Sequence, residues 1–83
     1  MIYPIYSIRD KLIDFQGISL NANDASAMRS FREVFMDVKF PEDYSLYKLG
    51  TFDTTTGIVT AFKEPELICT GMDIAKEKNN NEI

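Results

Sequence analysis

One segment sets the rhythm of this chain apart: N-D-A-S-A-M-R-S-F-R-E-V-F-M, residues 23–36. Ala25, Met28, Phe31 and Phe35 recur at helical spacing, with Val34 and Val38 beside them, while Ser26, Arg29, Ser30 and Glu33 fall on the other side. Asn23 or Asp24 can accept a hydrogen bond from the open N–H groups of the first turn. The pattern predicts a helix that starts there and ends near Asp37, well before Pro41. Around it the sequence reads as strands, and that is the strongest constraint on the fold. One helix covers one face of a sheet, so the other face must be polar or find a second cover.

The strand readings follow from β-branched and aromatic residues between turn signals. Ile2–Ile8 alternates loosely, with Pro4 inside; a proline cannot donate to a ladder, so this strand is expected to start late or to lie at an edge. Residues 9–17 read as a turn or an irregular connection with a bend at Gly17, and residues 18–20 as a short additional strand. Tyr44–Phe52 is a strand with Leu46, Lys48 and Phe52 on one face and Tyr47, Leu49 and Thr51 on the other. Ile58–Phe62 and Glu66–Thr70 are two more, separated by Pro65. The sum is a single α+β domain over residues 1–75, of order β-α-β-β-β, with one helix on a mostly antiparallel sheet. Residues 76–83 (KEKNNNEI) read as a polar, disordered tail. The sheet strands carry apolar residues on both faces, which predicts a homodimer.

Composition removes several functions. With 83 residues there is room for one domain with a thin core. There is no histidine and one cysteine, Cys69, so His-based acid–base catalysis, His-ligated metals and an intrachain disulfide are excluded. No run approaches the ~20 apolar residues of a membrane span, and the first ten residues lack the pattern of a signal peptide; a reducing cytosol is the expected home. Nine basic against thirteen acidic residues give a net charge of −4, which argues against sequence-independent nucleic-acid binding over the whole surface.

The remaining motifs are weighed against plain structural roles. In D-T-T-T-G (residues 53–57) a lone Asp lacks the spaced oxygens of a calcium loop, and the Gly-rich run and Lys-Ser/Thr ending of a phosphate-binding loop are missing. An Asp that bonds the backbone N–H two residues on, closed by a left-handed Gly, reads as a hairpin turn. Asp10, Lys11 and Asp14 read as solvated loop charges, Glu42 and Asp43 as a turn after Pro41, and Cys69 as a small hydrophobe in a strand. The serines have no histidine to activate them. Arg29 and Arg32, three apart on the helix, form with Arg9 and Lys11 the only basic concentration, either a phosphate-binding set or a solvated face. Tyr3, Tyr6, Tyr44 and Tyr47 are either base-stacking platforms or packing residues.

The order of three segments carries a resemblance. YSIRDK, NDASAMRSF and above all FPEDYSLYKLGTFDTTTG, followed by PELI, resemble the small non-structural protein of gokushoviruses, single-stranded DNA phages of the Microviridae, over residues 5–70. The opening MIYP and the Asn-rich end fall outside it. The resemblance implies a protein made in the infected bacterium, absent from the capsid and without a catalytic motif. It implies a role where duplex replication gives way to single-strand synthesis and packaging, and DNA binding. The expected site residues are then Arg29, Arg32, Arg9 and Lys11 on phosphates, with Tyr6 among the stacking tyrosines, and no cofactor, metal, membrane or small-molecule substrate. The alternative is a dimeric adaptor that acts on phage replication proteins or host factors without touching DNA.

Overall fold

The computed structural model describes residues 1–81, with side chains described as far as residue 76. The architecture is α+β: four antiparallel strands in one open sheet, one amphipathic helix packed on it, and a second, smaller helix. In chain order the elements are β1 (Ile2–Asp10), β2 (Asp14–Leu20), α1 (Asp24–Phe35), a single 3₁₀ turn (Pro41–Asp43), β3 (Tyr44–Asp53), β4 (Val59–Thr70) and α2 (Gly71–Asn81). The sheet order is β2-β1-β3-β4, so β1 and β3 are central.

Helix α1 starts where its cap dictates. The Asn23 side chain accepts from the Ser26 N–H at 2.8 Å, which satisfies one of the open donors of the first turn. Its buried stripe is Ala27, Phe31 and Phe35, an unbroken i, i+4, i+8 row, with Met28 half-buried beside it. Ala25 and Val34 are exposed instead. The row packs on Tyr6, Leu46 and Cys69 of the sheet and on Ile74 of α2. Phe35 sits with its centroid 4.8 Å from Phe31 and 4.4 Å from Tyr44. Truncating a buried Phe of this kind costs about 3–5 kcal/mol, so these two rings hold much of what a small core supplies.

The strands differ from their sequence pattern where bulges intervene. β2 is a full seven-residue strand, and the turn before it is only residues 11–13, fixed by the Leu12 N–H on the Asp10 carboxylate at 2.9 Å. Gly17 lies within β2, at a register shift. β1 is central rather than at an edge, yet Pro4 sits beyond the end of β2: the β1–β2 pairing begins at Ile5–Leu20, so the missing donor costs that ladder nothing. The segments 58–62 and 66–70 belong to one edge strand, β4. Lys48 pairs with Glu66 and Gly50 with Ala61, leaving residues 62–65 bulged out with Pro65 among them.

D-T-T-T-G is the β3–β4 turn. The Asp53 carboxylate accepts the Thr55 N–H at 2.9 Å, the Asp53 carbonyl accepts the Gly57 N–H at 2.7 Å, and Gly57 has φ +77°. An L side chain there would be strained.

Helix α2 has no counterpart in the sequence reading. The backbone of residues 76–81, read as tail, continues this helix, and residues 82 and 83 lie outside the described residues. A reciprocal cap starts it: the Thr70 hydroxyl accepts the Asp73 N–H at 3.3 Å, and the Asp73 carboxylate accepts the Thr70 N–H at 3.1 Å. Only glycine fits at position 71, because a Cβ there would lie 1.5 Å from the Pro41 carbonyl oxygen.

Candidate nucleic-acid interface

Pairing decides which side chains share a face, since paired residues point the same way and neighbours alternate. Along β1, Pro4, Tyr6, Ile8 and Asp10 point toward α1; Tyr3, Ile5, Ser7 and Arg9 point away from it. The register then places Phe15 beside Arg9, Leu20 beside Ile5, Tyr47 beside Ser7, Phe52 beside Tyr3, Leu67 beside Tyr47 and Val59 beside Phe52. These residues form the face away from α1, at whose centre Ile5 and Ser7 are buried within the chain. Phe15 and Tyr47 meet edge to face at 5.3 Å and 69°, and the Arg9 guanidinium stands 5.9 Å from the Phe15 centroid, within the range of a cation–π contact. Phe15 is 42% exposed and Leu67 52%, so part of this apolar surface meets water.

Charge is sorted between the two faces. The acids at paired positions, Asp10, Asp14, Asp53 and Glu66, all fall on the α1 side with Tyr44, Ile2 and Lys48. Arg9 is the single charged residue among the paired positions of the face away from α1.

The α1 side holds a polar cluster instead. The fully buried Tyr6 phenol donates to Asp24 Oδ1 at 2.5 Å, and Lys48 Nζ lies 2.9 Å from the same oxygen. Burial, and then the bond to Asp24, push the Tyr6 phenol well above the ordinary tyrosine range. The Tyr6 bond, and then Lys48, hold the Asp24 carboxyl below the usual carboxylate range. This arrangement ties the start of α1 to the sheet centre.

The candidate residues named from sequence therefore separate. Tyr6 is a core residue, and with none of its surface open it has no ring face for a base to stack on; this corrects its placement among the stacking residues. Tyr44 packs on Phe35 in the core, whereas Tyr3 and Tyr47 lie on the face away from α1. Arg9 is on that face; Lys11 is exposed in the β1–β2 turn, its N–H bonded to the Asp43 carbonyl. Arg29 is exposed on α1, and Arg32 lines a cleft of about 380 Å³ between α1, α2 and β4, with Lys76 across it. The sheet stands between Arg9 and the two helix arginines, so the four cations are not one patch. Phe15 and Phe52 are aromatic residues of the face opposite α1 that the sequence alone does not place there. Phe52 was assigned the face of Leu46, but the irregularity at Leu49 turns it over to the side of Tyr47. Only the strand pairing carries that information.

The family model described as phage ORF5 protein matches residues 3–74. The chain belongs to the phage ORF5 protein family. That match runs from β1 through the first turn of α2, so it takes in the whole sheet, α1 and both faces. It identifies a phage protein. No curated protein and no solved structure matched the chain. Among the described residues, no helix is long and apolar enough to cross a membrane, and no group of three or more His, Cys, Asp or Glu side chains is placed to hold a metal ion.

Proposed function

We propose that this phage ORF5 protein is a non-enzymatic accessory protein of a gokushovirus-like phage. It acts in the host bacterial cytoplasm, binding single-stranded DNA on the face of its sheet away from α1 during single-strand synthesis and packaging. The observation that supports this most is the Phe15–Tyr47 pair with Arg9 over Phe15, on a face without acids at its paired positions. Open sheets that present aromatic rings bind single strands by stacking, at about 1–3 kcal/mol per base. A duplex keeps its bases inside and offers such rings little.

The test is fluorescence anisotropy of a labelled ~30-nucleotide single strand beside a duplex of equal length. The single strand binds and the duplex binds far more weakly. Tyr47→Ala and Phe15→Ala each weaken binding by about 5- to 100-fold, and Arg9→Ala weakens it and flattens the salt dependence. Arg29→Ala changes little. With one or two cations at the strand, log K falls with log salt at a slope of only about −0.7 to −1.4. No binding at low salt overturns this reading. It leaves the adaptor alternative, which the net charge of −4 and the exposed apolar surface also favour.

A further inference from the structure

Helix α2 is seated on the rest of the chain by little. Of its eleven residues, Gly71–Asn81, the apolar side chains are Met72, Ile74 and Ala75. Ile74 is buried in the core cluster with Phe31 and Cys69, whereas Met72 is exposed and Ala75 half-buried. From Lys76 to Asn81 the sequence is Lys, Glu, Lys and three asparagines, which bring no apolar surface to bury. The Thr70–Asp73 cap joins the first turn of α2 to the end of β4 and not to α1. An isolated helix shorter than ~12–15 residues is marginal in water, so α2 depends on the seat of Ile74 and on Gly71 against the Pro41 carbonyl.

That seat is incomplete. A cleft of about 380 Å³ runs between α1, α2 and β4, with Met28, Phe31, Ile68, Cys69 and Ile74 along it. Protein interiors are close-packed, so side chains that face a gap of this size forgo part of their dispersion contact. The body of the fold is built differently. β1 and β3 pair from Ile2–Asp53 to Asp10–Tyr44, and Tyr6 and Leu46 lie buried beneath α1.

We infer that α2 is a strap, which opens from the groove between α1 and β4 while the sheet and α1 stay folded. Opening uncovers Cys69 and the flank of Phe31. A local opening of this kind costs less than global unfolding and exposes less surface. The groove therefore has a closed and an open state, and Ile74 sets the balance between them. The phage ORF5 family match ends at residue 74, so it takes in this anchor and leaves out the polar remainder of the strap.

The experiment is labelling of Cys69, the single cysteine of the chain, by a small aromatic disulfide whose released thiolate is coloured. The rate is followed from zero urea through the unfolding transition, with reagent dilute enough that reclosing outpaces labelling. Without urea the native chain labels about 100- to 1,000-fold more slowly than an exposed peptide thiol. The rate changes little with urea until the transition nears, and then takes the slope of global unfolding. Ile74→Ala raises the rate without urea at least about 10-fold and keeps the circular dichroism of the folded sheet. Ile5→Val, buried on the other face of β1, lowers the urea midpoint and leaves that rate unchanged. A rate that climbs with the global slope from zero urea overturns the inference, because Cys69 is then reached only when the whole chain unfolds. So does a rate equal to that of the peptide thiol, since α2 then covers nothing. An Ile74→Ala chain that labels no faster, or that unfolds as a whole, overturns it too.

Discussion

The bond from Tyr6 to Asp24 offers the sharpest check on how this fold is held, through Tyr6→Phe. The substitution removes one oxygen and keeps the ring, so no cavity beyond that atom opens under α1. What is lost is a phenol donor 2.5 Å from a carboxylate oxygen. Hydrogen bonds to charged groups contribute about 1.5–3 kcal/mol. Here the Asp24 side chain is 46% exposed and keeps Lys48 at 2.9 Å, so water and the ammonium replace part of the bond. The expected loss is at the low end, about 1–2 kcal/mol. For a domain of this size that is about 5–10 °C in Tm. Urea and thermal unfolding followed by circular dichroism measure it. The pH dependence has a definite sign. Asp24 has a lowered pKa in the folded state, so its contribution is full above the unfolded value near 4 and is lost as pH falls through the folded value. The difference between native and Tyr6→Phe proteins therefore narrows below about pH 4. Tyr6 has a raised pKa, so its neutral form stabilises the native chain below about pH 10, and that contribution is lost as pH rises further. A gap under about 0.5 kcal/mol at pH 7, or the same gap at pH 3 as at pH 7, refutes the reasoning.

Two further predictions concern α2. Gly71→Ala places a methyl against the Pro41 carbonyl and forces α2 off the 3₁₀ turn; a loss of about 3 kcal/mol or more in urea unfolding is expected, and a loss under about 1 kcal/mol would mean the two segments are not in contact. Thr70→Val removes one half of the reciprocal cap and costs about 1 kcal/mol, with amide exchange rising first at Met72 to Ile74; exchange that rises equally across β1 and β3 argues against a local cap.

Much of the fold was legible because local and global signals agreed. The Asn23 cap, the Phe31–Phe35 row and the D-T-T-T-G turn each follow from side chains within a few residues. The failures share a cause. Thr70 and Asp73 form an [ST]-x-x-[DE] box, but the run after it is polar and has no apolar stripe to mark a helix. β4 looked like two strands because Pro65 breaks the pattern, and only its outer position lets one strand carry the bulge. Phe52 was placed on the wrong face because one irregular residue, Leu49, inverts every assignment after it. Tyr6 and Tyr47 are equally aromatic in sequence; their opposite fates depend on which way β1 and β3 present them.

Side-chain direction also decides on which face the charges fall. A total of −4 is a sum over the surface, while any partner meets one face. In this sheet the acids at paired positions accompany Lys48 and the tyrosines of the core, and on the opposite face Arg9 is the one charged residue at a paired position. Those four are among thirteen acids in the chain, and none of the four lies on the face opposite α1. The Arg9 guanidinium there already stands over the Phe15 ring. Under the strand-binding proposal, affinity on this face comes from stacking and apolar burial. Single bases provide these, and a duplex backbone does not.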